Sequence, residues 1–174
     1  MILCQAPLVD TIDDMLDMIL RYKVTVVVLV KPEEASASEK KWVPYFPDQH
    51  QVFETSNFCV SKINFKGLDK DFTTETECHL KNKKDNSEMK FTILHYQGWP
   101  EKNIPSEHMS IYSLYKRIIS LRTDDYMAIH CSLRIGRTNI LPLTIYLIDI
   151  ISCFPTSNSI ARLKCLREYR YLTV

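Results

Sequence analysis

The sequence predicts an α/β protein, a twisted mixed β-sheet flanked by helices. Three observations lead there. Residues 24–30 read Val-Thr-Val-Val-Val-Leu-Val, a nearly continuous β-branched run that marks a central strand buried on both faces. Stretches of helical period at 10–22 and 106–122 interleave with strand-like runs, an order that builds a sheet covered by helices. Three alternating runs at 58–65, 72–80 and 89–96 lie close together and bring an antiparallel hairpin into the sheet.

Each element has its own signal. In 10–22, Ile12, Met15, Leu16 and Ile19 share one helical face, and Thr11 with Asp14 forms a candidate capping box. Residues 31–41 are rich in Ser, Ala and Glu and read as an exposed loop. Residues 42–47, aromatic and proline-rich, read as a packed loop. The polar stretch 81–88 connects two strands as a longish loop. Residues 106–122 place Ile111, Leu114, Tyr115, Ile118 and Leu121 on one buried face. A short buried strand follows at 127–129, then an apolar helix at 140–151 and a last helix at 159–169.

Composition sets bounds. A chain of 174 residues supports one domain with a core of its own, and no internal linker divides it. A net charge of +1 gives no reason to expect nucleic acid as a partner. The N-terminus lacks the basic and apolar regions of a signal peptide. The most apolar segment, 140–154, is too short to span a bilayer and carries Asp149 and Pro142. Six cysteines occur without Cys-x-x-Cys pairing, which fits reduced thiols in a cytoplasmic protein. His50, His79 and His108 have no spacing that suggests a metal site, and no cofactor is expected.

The chemistry gathers in His130-Cys131-Ser132-Leu133-Arg134-Ile135-Gly136-Arg137-Thr138. This stretch lies between the 127–129 strand and the following helix. Loop N–H groups there can form an anion-binding nest, and the helix dipole adds partial positive charge. The same field favours a thiolate at Cys131. Arg137, six positions on, presents a planar fork that grips two phosphate oxygens. A nucleophilic thiolate beneath a cradled phosphate is the arrangement of a cysteine phosphatase.

A bare Cys-x5-Arg is weak, but other segments accompany it. The loop from His130 to Thr138 resembles the signature loop of tyrosine-specific protein phosphatases. His95-Tyr96, then Gly98-Trp99-Pro100-Glu101, stand where that family has its Trp-Pro-Asp loop. Gln5-Ala6-Pro7-Leu8 resembles the family's Gln-Gly-Pro-Leu segment, and Lys23-Val24-Thr25 the strand after it. Lys41, with Tyr45-Phe46-Pro47, resembles its Lys…Tyr-Trp-Pro segment. These segments come in family order, which implies the protein-tyrosine phosphatase fold, incomplete at both ends. The resemblance implies Cys131 as nucleophile, Arg137 as phosphate clamp and Glu101 in the general-acid position. Ser132, Leu133, Arg134, Ile135 and Gly136 would cradle the phosphate with Arg137. His130 would order the loop, Thr138 would hydrogen-bond the sulfur, and Trp99 and Pro100 would anchor the acid loop. The implied partners are phosphotyrosine-containing proteins, met by a monomer without membrane insertion.

Several positions depart from that pattern. Glu101 replaces Asp, and a shift of about 1 Å in a reacting group can cost on the order of 100-fold in rate. Leu133 and Arg134 replace Ala-Gly in the cradle, where glycine's backbone freedom suits the turn. Asn139 replaces a small residue, and Pro142 enters the helix near its first turns. The family's upstream phosphotyrosine-recognition loop and its downstream water-positioning Gln fall outside these residues. Two functions follow: a phosphotyrosine hydrolase of impaired rate, or a pseudophosphatase that binds phosphotyrosine proteins. A non-functional remnant that does not fold alone is a weaker third.

Overall fold

The structure is a computed structural model describing residues 1–30, 43–47, 51–68, 72–100, 104–105, 107–131, 136–153, 158, 160–161 and 164. One seven-stranded sheet runs through it, in the order β1-β7-β2-β6-β5-β4-β3. The strands are β1 (Ile2–Gln5), β2 (Val24–Val30), β3 (Val52–Glu54), β4 (Phe58–Leu68), β5 (Thr73–Asn82), β6 (Glu88–Tyr96) and β7 (Tyr126–Cys131). β1, β7, β2 and β6 are mutually parallel, and β6, β5, β4 and β3 continue as an antiparallel meander. The sheet is mixed, as the sequence indicates. β2 sits between β7 and β6, and its Val27, Val28 and Val30 are fully buried.

Two strands carry no clear signal in the sequence. β1 has four residues without alternation; it forms because β7 offers a partner edge, pairing Ile2 with Ala128 through Gln5 with Cys131. β3 is three residues long and pairs only with Cys59, Val60 and Ser61. The connection expected over 81–88 is tighter than anticipated. Strands extend to Asn82 and from Glu88, and Asn86 takes a left-handed φ of 60° that asparagine tolerates better than most residues.

Helix α1 (Ile12–Arg21) covers one face of the sheet and buries Ile12, Met15, Leu16 and Ile19, the stripe predicted from the sequence. Its start differs from the expected capping box. Thr11 makes no side-chain bond to the helix; its hydroxyl oxygen accepts from the Leu8 N–H at 2.9 Å, closing a 3₁₀ turn over Val9–Thr11. Asp13 and Asp14 still place negative charge at the positive end of the helix dipole.

The other face carries α2 (His108–Leu121) and α3 (Arg137–Cys153). α2 begins two residues later than predicted, where the Glu107 carboxylate accepts from the Met109 N–H at 3.3 Å. Leu114 and Ile118 are its buried anchors, while Ile111, Tyr115 and Leu121 are only partly buried. α3 starts earlier than its apolar run, at Arg137, and Pro142 lies inside the helix. Pro142 has no N–H for the Thr138 carbonyl four residues back. Of the helix expected over 159–169, only residues 160, 161 and 164 are described, and these are helical.

The parallel strands end together on one side of the molecule. Gln5, Cys131, Val30 and Tyr96 are the last residues of β1, β7, β2 and β6. Ligands of open α/β sheets bind at this carboxyl edge, because the loops leaving it converge there.

Candidate active site

Cys131 stands at that edge on β7, flanked by Gln5 of β1 and Val30 of β2. Neighbours on both sides give it a fixed position. The Ala6 N–H donates to the Cys131 carbonyl at 3.0 Å and pins the strand end. Its side chain is 4% exposed and lies among Val30, Tyr96, Trp99 and Leu141. The Thr138 hydroxyl, from the first turn of α3, donates to Cys131 Sγ at 2.9 Å and is itself fully buried. The strand end and the helix start therefore meet at the sulfur, as the order of residues predicts. Gly136 opens α3: its carbonyl accepts from the Asn139 and Ile140 N–H groups at 2.9 and 3.1 Å. Arg137 is the first residue of that helix and is half-buried.

His130, one residue earlier, points to the opposite face of the sheet, as alternation along a strand requires. It is fully buried, and burial, aided by the nearby His95, pushes its pKa down to about 3. The ring is neutral at any physiological pH. Its Nε2 lies 2.7 Å from the Tyr45 hydroxyl, which is also fully buried. Burial, together with Cys4 and Cys78 nearby, raises the Tyr45 pKa well above the ordinary value, so the phenol keeps its proton. The arrangement with fewest orphaned groups has Tyr45 donating to Nε2 and the imidazole proton on Nδ1. The reverse tautomer strands both the phenol proton and Nδ1, which has no hydrogen-bond partner among the described residues.

Tyr45 has no role in the sequence reading, although it falls in a recognised segment. It meets His130 across 85 positions, and no local pattern could join them. The ring is seated edge-on against Phe46, with centroids 5.2 Å apart. Residues 43–47 do form a packed loop, with Tyr45, Phe46 and Pro47 buried. Lys41 and Trp42 lie outside the described residues.

Trp99 is 4% exposed and packs in the same cluster as Cys131, which suits the anchoring role expected for it. Pro100 is half-buried beside it. Glu101, Ser132, Leu133, Arg134 and Ile135 lie outside the described residues. Asn139, which replaces the small residue of that pattern, is buried in the first turn of α3 at 3% exposure. Among the described residues no three His, Cys, Asp or Glu side chains are grouped to hold a metal. No helix among them is long and apolar enough to cross a membrane. Cys78 is buried and its pKa is pushed up to about 12, so it behaves as a small apolar core residue.

A mixed α/β sheet with a buried cysteine at its carboxyl edge, and an arginine opening the next helix, is the fold and residue order expected of a cysteine phosphatase. Comparison with known proteins narrows this. A sequence model of the protein-tyrosine phosphatase family matches residues 1–174, and the chain belongs to that family. Tyrosine-protein phosphatase 3 of Dictyostelium discoideum is 30% identical over 147 residues, covering 79% of this chain and 14% of its own length. Human tyrosine-protein phosphatase non-receptor type 18 is 27% identical over 139 residues, covering 79% of this chain and 29% of its own. The crystal structure of the latter's catalytic domain superposes with a TM-score of 0.85 at 20% identity, over 98% of this chain and 61% of that one. A Trypanosoma cruzi protein tyrosine phosphatase superposes with a TM-score of 0.77 at 27% identity, over 86% of this chain and 53% of that one. The chain thus spans less than a third of those two curated relatives and roughly half to three-fifths of the solved domains.

Proposed function

We propose that the protein hydrolyses phosphotyrosine on other proteins through a phosphocysteine intermediate, at a reduced rate. Cys131 Sγ attacks phosphorus, forming an S–P bond as the P–O bond to the tyrosine ring breaks. Glu101 gives a proton to the departing phenolate. Water then attacks phosphorus, Glu101 takes up its proton, and the S–P bond breaks to release phosphate and the thiolate. Arg137 and the amides of 132–136 hold the phosphoryl oxygens, where positioning and charge stabilisation dominate this chemistry. The observation that carries the reading is the buried Thr138 hydroxyl directed at Cys131 Sγ at 2.9 Å, which favours sulfur as a leaving group in the second step. The longer carboxylate at Glu101 supports the reduced rate.

The same substitution, with Leu133 and Arg134 in the cradle, favours a second reading, a pseudophosphatase that retains phosphotyrosine proteins. Solved structures show non-receptor type 18 in complex with HER2 phosphopeptides, and a ligand of that kind suits both readings. The protein acts on these partners as a cytoplasmic monomer without a cofactor. Turnover of a small aryl phosphate by the wild-type chain and by Cys131→Ser tests the enzyme reading. Activity lost in the variant supports it; equal signals from both chains sink it. Phosphotyrosine-peptide binding without turnover would support the pseudophosphatase instead.

A further inference from the structure

A cleft of about 570 Å³ opens between α2 and α3, at the opposite end of the sheet from Cys131. Val26 of β2 and Met127 of β7 form its floor. Ile118 and Leu121 of α2 line one side, and Pro142 and Ile145 of α3 the other. Met127 stands four residues before Cys131 on the same strand, about 13 Å away at the rise of a β-strand. The cleft is therefore separate from the thiol site. Its size falls within the range of small-molecule pockets, on the order of 300–1,000 Å³.

The lining is part of the core. Val26, Ile118 and Ile145 are buried, and Leu121 and Met127 pack against the same cluster. Core side chains that face an open cleft favour whatever apolar body covers them.

The charge around this lining is mostly negative. Asp124, Asp125 and Asp149 border the cleft against one basic side chain, Arg122. Asp149 is the only charged residue of α3 after Arg137. Tyr115 Oη of α2 donates to its Oδ1 at 2.7 Å and holds the carboxylate between the two helices. A carboxylate offers about four acceptor sites, so capacity for a further donor remains. Asp124 and Asp125 lie on a loop tied to the floor. The Asp125 N–H donates to Thr123 Oγ1 at 3.2 Å, and that oxygen lies 3.2 Å from Thr25 Oγ1 of β2.

We infer that the cleft binds a small amphiphilic cation, an aromatic or aliphatic body carrying an ammonium group. The body covers the apolar floor and the ammonium meets the aspartates. Beside a half-buried wall that pairing is stronger than in open water, and an anion of the same shape is repelled. The inference is independent of the chemistry proposed at Cys131.

Tryptamine, indole-3-propionate and indole separate charge from shape. All three share the ring, and the first two share a two-carbon arm that ends in opposite charges. Amide chemical shifts of the full chain, followed by NMR at pH 7 during titration, report both affinity and place. Tryptamine is expected to bind at least about tenfold more tightly than indole-3-propionate. Its shift changes should gather at 118–127 and 142–149. Replacing the three aspartates together (Asp124→Asn, Asp125→Asn, Asp149→Asn) should reduce that preference to less than about threefold and leave indole binding unchanged. Asp149→Asn alone, whose amide oxygen still accepts from Tyr115, serves where the triple variant does not fold and should weaken tryptamine by about threefold or more. No preference for the cation, a preference that survives the substitutions, or shift changes centred elsewhere would each overturn the inference. So would the absence of tryptamine binding up to about 5 mM, an affinity too weak for a built site.

Discussion

Tyr45→Phe deletes one oxygen and keeps the ring against Phe46, so any effect belongs to the bond with His130. Both partners are fully buried and 2.7 Å apart. Water cannot reach Nε2 to replace the lost donor, and an unsatisfied buried acceptor costs about 1–3 kcal/mol. For a domain of this size 1 kcal/mol moves Tm by about 2–4 °C, so a loss near 2 kcal/mol lowers it by about 4–8 °C. Thermal melts at pH 7 followed by circular dichroism read this directly. In a His130→Leu background the same change should be neutral or stabilising, since the phenol then has no acceptor. A Tm within about 1 °C of wild type in the single variant would refute the reasoning.

The same histidine gives the protein a built-in acid sensitivity. Its folded pKa of about 3 lies below the value of about 6.5 in an unfolded chain. Below pH 6.5 the unfolded state binds a proton that the folded state refuses, so this contribution is complete above that pH and declines toward pH 3. Thr138→Ala should leave the fold intact but slow the breakdown of the phosphocysteine about tenfold, seen as a burst of phenol followed by slow turnover in rapid-quench measurements. Gly98→Ala forces a Cβ against Phe72 and should cost about 1–3 kcal/mol in chemical denaturation, with turnover falling as Trp99 shifts. Glu75 on β5 accepts from Arg117 Nη2 of α2 at 2.7 Å and from Lys66 of β4 at 3.0 Å. Burial acts to raise its pKa, but these hydrogen bonds outweigh burial and leave it lowered. Its contribution is therefore present above the unfolded carboxylate range and lost as pH falls through the folded value. Glu75→Gln should cost about 1–2 kcal/mol at pH 7, discounted for the solvent reaching both cations, and should flatten melting temperature against pH below 5.

Much of the fold was legible because its signals are local. The β-branched run at 24–30 can satisfy its apolar surface only between two layers, and β2 occupies that place. The stripe from Ile12 to Ile19 and the pair Leu114 and Ile118 mark helix faces that must be covered. β1 and β3 were not legible. Each is a short edge strand whose conformation comes from the neighbour it pairs with: β1 pairs with a strand far along the chain, and β3, though beside β4 in sequence, is too short to show alternation. The start of α1 was misread for a related reason: Thr11 has two possible N–H partners, and only the path of the chain from Leu8 chooses between them.

At the site, the sequence by itself determined which groups are available and in what order. Cys131 ends a strand, Thr138 lies in the first turn of the next helix, and strand–loop–helix geometry brings their side chains together whatever else the fold does. Tertiary structure alone decided what stands behind them. Tyr45 reaches His130, Tyr96 reaches Ser110, and Glu75 reaches Arg117, pairs formed between residues that sequence spacing does not relate. Covalent order constrains neighbours along the chain. Contacts across it form only when the sheet closes and excludes water, and exclusion of water is also what gives those buried hydroxyls and carboxylates their energetic weight.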